Sequence, residues 1–532
     1  MTHFSPASRL AICVALGMPF MAQAQTAVQP IEIITTTEAY DPIRYEGAYI
    51  VADAWKELGL DVTVTPTEFS TLLGKFYDQQ DFQAVISGWS GRVDRLDPQF
   101  YLGTLATANT VMGANNPGGY SNPDYDALYD AQAREFDQAK RQKIVHDLQE
   151  IAAPDAPLVI LFHRDEVVAY NKTTFENMHA MAGEALYSEW VPMQAKPLTD
   201  RKILRYGGPQ SPDNINPMLA NTVWAWKWLR LYYDRLVRLT PDVEVMNWMA
   251  EAVTPVDETT IEVTLRDGLT FHDGMPVTSA DVKFSYDYLM NSDYGYFNSY
   301  MAALDSVDIV DDLTVRFNLK EPSAPFASIT LSQISILPKH IWEVIENPME
   351  LAPADVPTIG SGPFKFNQYT AGEFMKLDKF EDHFHADEIA IDAVEFQIFA
   401  DSEGVFTAVD TGQIDVTAWR MEAGQIPLAE QNANLEVVSV PDFGYYHLTY
   451  NLREPNFDDV AFRRALTMAV DRERIVNVLL DGRGEVGSSV IAPVNAFWHN
   501  PFTERLDFDM DAARAELEGA GYSWSDDGKL QK

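Results

Sequence analysis

The chain has 532 residues, more than one hydrophobic core ordinarily serves, so two or three lobes are expected. Its 39 basic residues against 79 acidic ones leave a formal charge of −40, a surface that repels nucleic acid and anionic lipid. An apolar fraction of 46% is that of an ordinary folded globular chain, and the acidic residues are dispersed rather than gathered in a tail.

Residues 1–24 read as a signal peptide: Arg9 is the lone charge, Leu10 to Met21 is mostly apolar, and Ala22-Gln23-Ala24 fits a cleavage site. The apolar run is too short to span a bilayer and contains Gly17 and Pro19. The one cysteine, Cys13, lies inside this segment, so the exported product is expected to be periplasmic and to fold without disulfides.

From Ile31 the chain alternates strand and helix. Ile31-Glu32-Ile33 starts a strand; Val51, Trp55 and Leu58 recur at helical spacing until Gly59; Leu60, Val62 and Val64 alternate as a strand does. Such a unit pairs its strands in parallel, with ligands beyond their carboxyl ends. Phe82, Ala84 and Ile86 form the next strand, and Gly88-Trp89-Ser90-Gly91-Arg92, then Asp94, stand at its end. The glycines admit a close backbone approach, and Trp89 offers an apolar wall. Asn122-Pro123-Asp124 caps one helix, a second buries Val145 and Leu148, and Leu158 to Phe162 reads as a short buried strand.

The polar segment around Lys196–Arg201 then opens what resembles a new domain, with a strand from Lys202 to Tyr206. The stretch 221–233 holds three tryptophans. Trp224 and Trp228 share a helical face and leave Trp226 on another. Ile261 to Leu265 alternates, Thr278 caps a helix reaching about Met290, and Val307 to Leu319 reads as a hairpin turned at Asp311-Asp312.

The phrases "LRDGLTFHDGMPVTSADVKFSYDYL", "IGSGPFKF", "TGQIDV", "GYYHLTYNLREPNFDDVAFRRALTMAVDRERIV" and "LDFDMDAARAELEGAGY" resemble, in order, the extracytoplasmic solute-binding proteins of the oligopeptide/dipeptide/nickel class of ABC importers. In that family, parts similar to "IEIITTT", "FQAVISGWSG", "GYSNPDYDAL" and "APLVILFHRDEVVAYN" follow the "AGY" phrase; here they precede it. The resemblance thus implies an α/β, two-lobed clamp with an appended subdomain, in circularly permuted order. Residues 25–165 and 445–532 would form the second lobe, 201–444 the first lobe with its subdomain, and 166–200 the return segment and new linker. A truncated tandem array and a swapped dimer are the rival arrangements; a monomer is expected.

The family's function would be capture of a small solute for the membrane subunits of an importer, with no enzymatic activity and no cofactor. Its cleft residues map by motif onto Trp89, Ser90, Gly91 and Arg92, onto Asn221, Thr222, Val223 and Trp224, and onto Trp419, Arg420 and Tyr446. Peptide binders of the family place an aspartate, which pairs with the peptide's α-ammonium, where this chain has Arg92. An arginine repels an ammonium and suits a carboxylate, so an anionic or polyhydroxylated solute is expected. The alternatives are a standard oligopeptide or dipeptide binder and a nickel or metal-chelate binder, for which His383-Phe384-His385 is the tempting spacing. For hydrolysis, Ser361 lacks a nucleophile elbow and His272-Asp273 lies in a turn.

Overall fold

The computed structural model describes residues 26–92, 95–210, 215–220, 222–242, 244–291 and 299–532. The expected signal peptide, Cys13, Asp94 and Asn221 lie outside the described residues. Strand β1 (Ile31–Thr36) leads to helix α1 (Pro42–Glu57), whose N-cap Asp41 accepts hydrogen bonds from the amides of Ile43 and Arg44. Val51, Ala52 and Trp55 are its buried stripe. Gly59 ends the turn at φ +88°, and a β-carbon there would lie 2.3 Å from the Gly528 carbonyl, so only glycine fits. Strands β2 (Val62–Thr67) and β3 (Ala84–Trp89) both pair with β1 in parallel. Helices α2 (Pro123–Arg134) and α3 (Gln138–Ala152) follow.

Strand β4 (Leu158–Asn171) is far longer than the run ending at Phe162 that the apolar pattern marks. Its charged middle, His163 to Glu166, keeps strand geometry because partners change rather than disappear. The remaining strands that matter are β5 (Ile203–Gly208), β6 (Ala393–Ile398), β7 (Val416–Thr417), β8 (Leu435–Pro441) and β9 (Tyr445–Tyr450), with helix α4 (Val223–Tyr232) after β5.

Two lobes share one sheet. In the second lobe, β9 lies antiparallel between β3 and the first part of β4. From Asp165 onward β4 instead pairs with β8, and at Tyr170 with β7, which continues into β5 and β6 in the first lobe. The chain therefore crosses between lobes along β4 and through residues 441–444. The appended subdomain is a four-stranded antiparallel sheet, with strands Ala250–Asp257, Thr260–Leu265, Leu304–Ile309 and Thr314–Leu319, covered by helix Ser279–Met290. Asp311 accepts from the Leu313 amide at the hairpin turn.

Early and late sequence mix within the second lobe's core, where Ile33, Trp55 and Ile86 pack with Leu448, Phe462 and Leu517. Residues 26–28 pair with 530–532, the Thr26 amide donating to the Lys532 carbonyl at 2.9 Å. At the join, Lys196–Pro197 pairs with Phe175–Glu176, and residues 198–202 run mostly exposed to β5.

Opposite the crossing strands, the lobes touch again. Ser328 donates to Asp97 at 2.8 Å, and the Ala324 amide donates to the Ala133 carbonyl at 2.7 Å. Asp97 is buried against Arg141, which holds both carboxylate oxygens at 2.9 and 2.6 Å.

Two outcomes follow from these contacts. Protease cleavage at a site inserted between Asp200 and Arg201 is expected to leave both fragments in one particle, because β9 is locked between β3 and β4; fragments separating on a sizing column under native conditions would contradict this. Arg141→Met strands the Asp97 carboxylate and is expected to lower urea-unfolding stability by about 3–5 kcal/mol.

Candidate functional site

Four segments converge where the lobes meet. The loop after β3 brings Ser90, Gly91 and Arg92 from the second lobe. Helix α4, capped by Thr222 accepting from the Ala225 amide, presents Trp226, Lys227 and Arg230 from the first lobe. The segment 183–187 adds Glu184 and Tyr187, and the residues after β7 add Trp419 and Arg420. The crossing strands supply the floor: Arg164 and Glu166 on β4, and Asp442 between β8 and β9. Together they enclose a cavity of about 720 Å³, solvent space at its mouth included. Gly91 must be a glycine, since its β-carbon would fall 1.7 Å from the Asp442 Oδ1.

Five basic side chains and three carboxylates line this cavity, an inverted balance in a chain of charge −40. Lys227 Nζ lies 2.5 Å from Glu184, and Arg230 lies 3.6 Å from the same carboxylate while donating to Gln333 at 2.7 Å. Arg164 and Arg420 both reach Glu166 Oε1, at 3.2 and 3.4 Å. Arg164 also donates to the Tyr446 hydroxyl, which in turn donates to Asp41. Each aromatic wall has a cation near its face: Arg92 is 4.4 Å from the Trp226 ring centre, Arg420 5.2 Å from Trp419, and Lys227 5.2 Å from Tyr187.

Burial shifts these groups. It pushes Glu166 up to about 7, helped by Asp442 and opposed by Arg164 and Lys227. Burial also raises Asp442, against the pull of Arg164 and of the amides of Gly444, Gly91 and Phe443. Lys227 is lowered by burial despite Glu184.

Of the residues mapped from sequence, Ser90, Gly91, Arg92, Trp419 and Arg420 come together around the cavity. Trp89 does not face it. Its ring packs edge-on against Phe100, near Tyr77 and Arg95, because its strand position points it into the second lobe. Trp224 is buried against Trp419 and Tyr187, a support for the wall rather than its surface, and Trp226, equally buried, lines the cavity instead. Tyr446 stands one step behind, holding Arg164. The backbone of Val223 begins α4. The sequence reading missed Arg164, Glu166, Glu184, Lys227, Arg230 and Asp442. The helical spacing of Trp226 and Arg230, one turn apart, was the available signal for α4.

The other chemical candidates are occupied elsewhere. His383 is buried with Nε2 on Asp234 at 2.9 Å and Nδ1 accepting from the His385 amide, so it has no nitrogen left to chelate. Among the described residues no cluster of three or more His, Cys, Asp or Glu has metal-binding geometry. His272 binds the Gly362 carbonyl and the Gly360 amide, while Asp273 pairs with His340. Ser361 accepts from the Asp234 amide. No described helix is long and apolar enough to cross a membrane.

Residues 244–532 match the model of the bacterial extracellular solute-binding proteins, family 5, middle region. The chain belongs to this family. It is 30% identical over 316 residues to the oligopeptide-binding protein AppA of Bacillus subtilis (strain 168), covering 57% of this chain and 56% of AppA. Against the glutathione-binding protein GsiB of Salmonella paratyphi A it is 26% identical over 313 residues, covering 58% of this chain and 59% of GsiB. The chain thus spans somewhat over half the length of these curated relatives. The solved structure of the ABC transporter substrate-binding protein CtaP from Listeria monocytogenes superposes with a TM-score of 0.51 at 26% identity, covering 61% of this chain and 66% of that one. The two-lobed α/β fold of this family 5 protein agrees with that likeness.

At the crossing, His163 Nδ1 contacts the Gly444 carbonyl at 2.8 Å, tying β4 to the start of β9. Burial holds this imidazole down to about 4. An unfolded histidine titrates near 6.5, so between those values the unfolded chain binds the extra proton. The stability from His163 is present above pH 6.5 and lost as pH falls to 4. His163→Gln is expected to shrink the fall in urea-unfolding stability across that window by about 3 kcal/mol, and an unchanged fall would count against the assignment.

Proposed function

We propose that this family 5 protein captures a small anionic solute by closing its two lobes and delivers it, in the periplasm, to the membrane subunits of an ABC importer. The observation that carries the reading is the cavity between the lobes, cationic within a chain of charge −40. A bound anion offsets the cost of holding Lys227, Arg230 and Arg164 away from water. A peptide's α-ammonium would instead meet Arg92, where relatives that bind peptides place an aspartate. The relatives named for oligopeptides and glutathione support the class of function; the basic lining supports a different charge on the solute.

The segment order is read as that of a circular permutant, with the second lobe drawn from residues 25–165 and 445–532, and the first from 201–444. Two features support it. The segment 530–532 hydrogen-bonds to 26–28, where a direct chain connection would fall in the unpermuted order. The new joint, 198–201, is exposed. Loop closure at such a place costs little. The halves interdigitate in one sheet, which favours a monomer over two separately folded units.

Calorimetry with carboxylates and with di- and tripeptides tests the ligand class. Wild type is expected to bind carboxylates and to ignore peptides, and Arg92→Asp to weaken carboxylate binding by at least about tenfold. Tight binding of peptides by the wild type, with none of carboxylates, would overturn the reading.

A further inference from the structure

Four of the five cations around the cavity fall into two groups with different balances, while Arg92 lies apart against Trp226. In the first, Lys227 and Arg230 share one carboxylate, Glu184. Lys227 is 7% exposed, Arg230 9%, and the Glu184 side chain 7%, so one positive charge in excess is held largely out of water. Uncompensated buried charge is costly; Glu189 also acts on both cations from a distance, but its own contacts go to Arg235 and Arg238, so the excess remains. The second group lies along the crossing strands. Arg164 and Arg420 both contact Glu166, and Asp442 faces Arg164 from the other crossing segment. Here two cations meet two carboxylates, and the group is neutral while both acids are ionised.

We propose, resting on the anion-capture reading, that the solute is a compact dianion of the dicarboxylate class and that the site takes up one proton with it. One anionic group pairs with Lys227 and Arg230. The other replaces Glu166 as counter-charge to Arg164 and Arg420, and Glu166 becomes the neutral acid. A monoanion satisfies only the first group. The Tyr187 hydroxyl, buried without a hydrogen-bond partner among the described residues, belongs to the cavity wall and supplies a donor for the bound solute.

Groups from several elements act on Glu166. On its own strand Arg164 holds the proton off and Asp165 favours it; Asp442 across the crossing favours it; Lys227 on α4 and Arg420 after β7 disfavour it. Burial is the largest influence, and the balance stands near pH 7, so a second carboxylate arriving beside Arg164 tips it toward protonation. The proton comes from solvent and returns to it on release.

The test is calorimetry of the full exported chain with succinate, glutarate and the monoanion butyrate at pH 6, 7 and 8, in two buffers of different ionisation enthalpy. The dianions are expected to bind at least about tenfold tighter than butyrate. Their affinity should fall by up to about tenfold per pH unit above 7, with proton uptake per molecule bound rising from about a tenth at pH 6 through about half at pH 7 to nearly one at pH 8. Glu166→Gln, neutral at every pH, should bind succinate with the pH dependence lost; Asp442→Asn, read alongside it with circular dichroism as a folding control, removes a charge that favours the Glu166 proton and should move the onset of the dependence to lower pH. Butyrate binding as tightly as succinate, absence of proton uptake, or an unchanged pH slope in both variants would overturn the dianion proposal and leave anion capture standing. Binding of peptides alone, with no carboxylate bound, would overturn the anion reading itself.

Discussion

The pairing of β4 with different partners along its length is the constraint on which the molecule depends. A strand of 14 residues is too long for either lobe alone, and it holds both by exchanging β9 for β8 between Phe162 and Asp165. Antiparallel pairing gives each partner a fixed register, so the lobes inherit their relative position from one backbone. The exchange must occur without leaving amides unpaired, and residues Gly484 and Glu485 fill the gap by bonding opposite Arg164 and His163. A place where a strand changes partners is also where it bends most easily. Arg164, Glu166 and Asp442 therefore sit on the segments that join the two lobes.

This placement couples charge to motion. Asp442 and Glu166 lie on the two crossing segments, and Arg164 stands with both; Tyr446 and Asp41 extend the network into the second lobe, and Arg420 extends it into the first. A change of charge at Glu166 is felt on both sides of the crossing. Ser328 and Asp97 form a further contact between the lobes, away from the crossing strands.

Much of the second lobe's organisation was legible because its signals are local. Asn122-Pro123 and Gly59 mark helix ends through a side-chain cap and a left-handed turn, and the structure uses both in that way. The Asp311-Asp312 hairpin was legible for the same reason. The floor of the cavity was not. His163-Arg164-Asp165-Glu166 carries no strand periodicity, and its strand geometry comes from residues over 250 positions away. Trp89 and Trp226 show a second limit. A motif locates a loop, but which ring faces the cleft depends on the pleat at the end of β3 and on the start of α4, and the assignment of Trp89 as the wall missed both.

The faces of Trp226, Trp419 and Tyr187 bear on what can enter. A ring with a cation near one face has spent part of its quadrupole attraction on that cation, and it draws a second cation less well. Guanidinium groups lying against rings still present N–H donors at their edges, and those edges match planar carboxylates. The walls therefore combine ring faces with cation edges of the kind that oxygen anions accept from. The contact of Arg92 with Trp226 thus joins the loop after β3 in the second lobe to α4 in the first.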